Sequence, residues 1–117
     1  MRGLFLAAAL VTTSAAMADD VDDAHRLAVS GRDSYWNCLA REYPRDVNKN
    51  LSEQDFVSLI AGACRSERQN FRVSLVDYLA LQFPSKDSDA NLTTANEAIE
   101  LAQKDIVSAF ARRRAAK

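Results

Sequence analysis

The sequence predicts a small all-α domain, a three-helix bundle with four helices as the alternative count, braced by one disulfide after removal of an amino-terminal leader. Three observations carry this. Glycine and proline number only three and two in 117 residues, so little interrupts a helix. Beyond Asp20, apolar residues recur at alternating three- and four-residue steps, the period of an amphipathic helix. The two cysteines, Cys38 and Cys64, follow a segment with the layout of an export signal, which points to an oxidising compartment.

That segment is MRGLFLAAALVTTSAAMA, residues 1–18: a basic residue (Arg2), an apolar run from Leu4 to Val11, then small residues ending in Ala16-Met17-Ala18. The run is far shorter than the roughly 20 residues needed to span a bilayer. Cleavage is expected after Ala18, with Ala16 the competing site, leaving one domain over 19–117 in the periplasm or outside the cell. Taking Arg2 from the 15 Lys+Arg of the full chain leaves 14 against 16 Asp+Glu, a net charge of −2. Nucleic-acid binders are normally far more basic, so that class is excluded.

The first helix is expected over about 21–43. Asp19 or Asp20 can cap it, and Asp22 and Asp23 suit the positive end of the helix dipole. Val21, Ala24, Ala28, Gly31, Tyr35, Cys38 and Glu42 form one stripe, and Val29, Trp36, Leu39 and Tyr43 an adjacent one. Gly31 marks either a close helix approach or a fray point, and Pro44 ends the element. In NLSEQDF, Ser52 is the N-cap, Asp55 stands at N3, and Leu51 can staple onto Phe56. The helix that follows is expected over about 53–83, either continuous or broken near Gly62. PSKDSDANLTT is read as a polar loop. Thr94 with Glu97 forms a second capping box, opening a helix over about 95–114 with Ile99, Ala102, Ile106, Ala109 and Phe110 on its apolar side.

Two cysteines in an exported chain are expected to pair, Cys38 with Cys64. On an antiparallel hairpin of the first two helices the two sites are offset by roughly 10 Å, which the connecting loop or a helix shift must absorb. A redox enzyme carries Cys-x-x-Cys on a thioredoxin-like frame, which this spacing does not match. Zinc needs four ligands, and two cysteines with the single His25 supply at most three. DDVDDAH places His25 three residues from Asp22, a spacing that suits weak cation binding but equally an acidic, solvated helix start. Glu67 lies in the apolar stripe of the second helix, either at its edge or buried against an arginine such as Arg41. No set of residues points to catalysis, so the protein is read as no enzyme, with no metal and no cofactor.

What remains are surfaces. Arg65, Arg68 and Arg72 form a basic ridge on the second helix, able together with Arg112, Arg113, Arg114 and Lys117 at the carboxyl terminus to meet an acidic partner or anionic lipid. Tyr35, Trp36, Tyr43, Phe71 and Tyr78 exceed what a thin core needs on one side, and of these Tyr35, Trp36 and Tyr43 are the candidates for a partner or self-association surface. Asn91-Leu92-Thr93 matches a glycosylation sequon.

Trp36-Asn37-Cys38 and the segment from Cys64 to Phe71, ending Gln69-Asn70-Phe71, resemble fragments of the periplasmic acid-stress chaperones of the HdeA type. That resemblance implies a small exported helical protein with a single disulfide that binds unfolding clients at low pH. Two functions are therefore expected: first an interaction or structural module with a protein partner in the cell envelope, homo-oligomers included; as the alternative, an acid-stress or client-binding chaperone.

Overall fold

The computed structural model describes residues 3–116, with side chains from Met17 onward. Arg2 and Lys117 lie outside the described residues. The order is α1 (Gly3–Ala40), a 3-10 turn at Asp46–Asn48, α2 (Glu53–Gly62), α3 (Arg65–Gln82) and α4 (Ser88–Ala115). The chain is all-helical, and no helix among the described residues is long and apolar enough to cross a membrane.

α1 is longer than the 21–43 expected. No glycine or proline lies between Gly3 and Gly31, so the helix runs through Asp19, Asp20, Asp22 and Asp23, which stand on exposed interior turns instead of capping a start. It ends at Ala40, before Pro44 can clash with a helical predecessor. The connection is then tied down by Asn48, a buried side chain that donates to the Glu42 carbonyl at 2.9 Å and to the Glu42 carboxylate at 3.0 Å. Ser52 caps α2, its hydroxyl accepting from the Asp55 amide at 3.0 Å.

The expected element over 53–83 is two helices. α2 stops at Gly62, Ala63 is extended, and Cys64 takes the left-handed conformation at φ 57°, ψ 48° before α3 begins. A non-glycine residue there costs roughly 1 to 2 kcal/mol, and the break redirects the chain. α3 packs along α1, whereas α2 packs on α4. The partner of α1 in the antiparallel pair is therefore α3, which brings Cys64 level with Cys38. The anticipated offset is absorbed at this corner.

α4 begins at Ser88, not near residue 95. Asp87 is its cap, the carboxylate accepting from the Ala90 amide at 2.7 Å. Thr93 and Thr94 lie inside the helix, their hydroxyls donating to the carbonyls of Asp89 and Ala90 one turn back, a bond that leaves threonine free of any capping role. Asn91 of the sequon is buried, so glycosylation cannot reach it in the folded chain.

The main core joins Tyr35 and Leu39 of α1, Phe56 and Ile60 of α2, Phe71 of α3, and Ile99, Ala102, Ile106 and Phe110 of α4. Phe56 and Phe110 stack at 3.9 Å between centroids, 5° from parallel. Burying a side chain of this size contributes about 1.5 to 3 kcal/mol. Towards the other end, the buried residues of α1 are small, Ala24, Ala28 and Gly31. A Cβ on Gly31 would lie 2.8 Å from the Ser74 hydroxyl and 3.1 Å from the Phe71 Cα. Gly31 therefore marks a close helix approach.

Candidate interaction surface

The cysteines form the bridge Cys38–Cys64, with Cα atoms 6.2 Å apart. It ties the end of α1 to the α2–α3 corner. Glu67, one turn into α3, is half-buried beside it, with a carboxylate oxygen within 4.8 Å of both sulfurs. With the sulfurs joined to each other, the cluster offers no thiolates to a metal, and its chemistry is that of a brace.

The basic ridge of α3 is largely consumed by the fold. Arg68 donates to the Ala61 carbonyl, satisfying the end of α2 across the break. Arg72 Nε donates to the Asn96 side-chain Oδ1 at 2.9 Å, joining α3 to α4, and a second nitrogen of its guanidinium donates to the Gln69 side chain. Arg65 remains exposed. The shallow depression beside it, from Arg65 to Asn70 and Val73, is lined by one helix alone and has no second wall. At the carboxyl terminus Arg114 donates to the Leu51 carbonyl and lies 5.7 Å from the Phe110 ring centroid. Arg112 and Arg113 stay in solvent.

The three aromatics separate in the same way. Tyr35 is wholly buried, its hydroxyl accepting from Gln103 Nε2 at 3.0 Å, so it belongs to the core and not to a surface. Tyr43 is half-buried against the core. Trp36 alone presents a large exposed face, at 42%.

A feature with two walls lies elsewhere. α1 and α3 run antiparallel from the bridge through Gly31 and Ser74 to His25, whose ring packs on Tyr78 at 5.0 Å. Along one side of this pair is an open groove of about 700 Å³. Ala24, Gly31 and Ser74 make its small-residue floor, and Leu27, Val73 and Leu81 stand in it at 65%, 48% and 46% exposure. Asp20 and Asp23 edge it from α1 and Asp77 from α3, and no Lys, Arg or His lines it. Asp23 pairs with Arg26; among the described residues Asp20 and Asp77 have no ion-pair partner.

Sequence reasoning missed this groove. Its signal was present in Val73, Asp77 and Leu81 at four-residue steps, and in Asp20, Asp23, Leu27, Ser30 and Ser34 at steps of three and four. Combining the two sets requires knowing that α1 pairs with α3. Comparison of the chain with protein-family models, with curated proteins and with solved structures finds no match.

Proposed function

We propose that this protein is an exported, non-enzymatic helical module that engages a protein partner in the cell envelope through the groove between α1 and α3. The observation that carries the reading is the exposure of Leu27, Val73 and Leu81 along one groove that small residues also line. A concave apolar strip with two rigid walls is how a helical scaffold presents a docking surface. The bridge supports it by fixing one end of the α1–α3 pair, and a braced surface loses less entropy on binding. Export accounts for the leader and for the oxidised pair of cysteines.

A photo-crosslinking residue placed at Leu27, in cells that carry the protein, tests this. Leu101 on α4, equally exposed at 62%, is the control position. Discrete adducts are expected from Leu27 and not from Leu101. Identical patterns from both positions, or none from Leu27, would remove the groove as the functional surface.

A further inference from the structure

We infer that the groove between α1 and α3 binds a cationic amphipathic segment, one that lays an apolar stripe on Leu27, Val73 and Leu81 and sets Lys or Arg against Asp20, Asp23 and Asp77. The inference rests on the docking reading above and names the chemistry of the occupant. Charge is what selects it. Of the side chains that line the groove, three carry a negative charge and none a positive one, and the carboxylates stand on both walls. An anionic segment would meet repulsion from either side. A second copy of this chain docked groove to groove would set carboxylates against carboxylates, so charge disfavours self-association here. An anionic lipid surface is disfavoured for the same reason.

Geometry sets the size. The α1 wall runs from Asp20 to Ser34, roughly 20 Å at 1.5 Å per residue, the length of a helix of about 14 residues. The floor residues Ala24, Gly31 and Ser74 leave room for apolar side chains of the visitor, as small residues do wherever two helices approach closely. Asp77 belongs to α3, so its charge is present wherever the amino terminus is cut.

Three synthetic 14-residue peptides test this against the purified protein. They share one helical leucine stripe, and their polar positions are all Lys, all Gln or all Glu. Fluorescence anisotropy is expected to show binding of the Leu/Lys peptide that weakens with added salt. Affinity should fall about tenfold in the Asp23→Asn/Asp77→Asn variant, the combined effect of two exposed charge pairs. It should fall several-fold in Leu27→Ser/Leu81→Ser and stay unchanged in Glu100→Gln/Asp105→Asn, which removes two carboxylates of α4. Equal binding of the Leu/Gln peptide, or equal weakening by the α4 variant, overturns the assignment of a cationic occupant while the groove stands as a docking surface. Binding of none of the peptides also overturns the assignment, and the crosslinking from Leu27 then judges the groove by itself. Sedimentation showing a dimer that Leu27→Ser abolishes would put a second copy in the groove instead.

Discussion

The two ends of this molecule are built on opposite rules. Where α2 and α4 meet α1, large side chains interlock: Tyr35, Leu39, Phe56, Ile60, Ile106 and Phe110 are all essentially without solvent contact. Towards the other end, α1 buries only small residues, Ala24, Ala28 and Gly31, with Gly31 close against α3 and His25 packed on Tyr78. The close approach leaves no space to enclose Leu27, Val73 and Leu81, which remain in water. One end spends its apolar residues on stability and the other keeps them available. The bridge belongs to the packed end, at the corner between α2 and α3.

The contrast can be broken most severely at the packed end. Phe110→Ala removes one half of the stacked pair and should cost about 3 to 5 kcal/mol in urea denaturation, while Leu27→Ala, at a side chain already 65% exposed, should stay within about 0.5 kcal/mol. Equal losses at the two sites would mean that the groove is part of the core. Next in size is the bridge. Replacing both cysteines with serine frees a loop closed at a sequence separation of 26, worth about 3.5 kcal/mol in chain-entropy terms; a midpoint that does not move would show that the corner holds itself.

Smaller effects sharpen the comparison at the seam. Gly31→Val must push against the Phe71 backbone 3.1 Å from the added Cβ and should destabilise by about 1 to 3 kcal/mol. A neutral outcome would mean that the helices can part without loss, and the floor of the groove would not be rigid. The corner itself is probed in a Cys38→Ala background, where Cys64→Gly should be more stable than Cys64→Ala by about 0.5 to 1 kcal/mol. Glycine occupies the left-handed region without a Cβ penalty, though its freer unfolded chain offsets part of the gain. The reverse order would show that residue 64 leaves that conformation once the bridge is gone.

What could be read from the sequence was local. The Ser52 cap, the Phe56 and Ile60 face of α2, the Ile99, Ala102, Ile106 and Phe110 stripe of α4 and the Cys38–Cys64 pairing follow from spacing, capping chemistry and cysteine count. The break at Ala63–Cys64 did not, because the apolar period runs straight through it. Cys64 holds the left-handed conformation there while bonded to Cys38 of α1. The start of α4 was displaced because two capping sequences compete, Asp87 against Thr94, and the earlier one gains about two turns of helix. Arg68, Arg72 and Arg114 read as a surface in sequence, yet each donates to a partner on another element. Bonds of that kind depend on which helices meet, and so does the groove.

The most direct test is the intact mass of the protein recovered from its own cell envelope, alkylated first without reduction and then with it. The account predicts a monomer that begins at Asp19, takes no alkyl group before reduction and takes two after it. A chain that keeps residues 1–18, or whose cysteines are alkylated at once, would contradict an exported module braced by Cys38–Cys64.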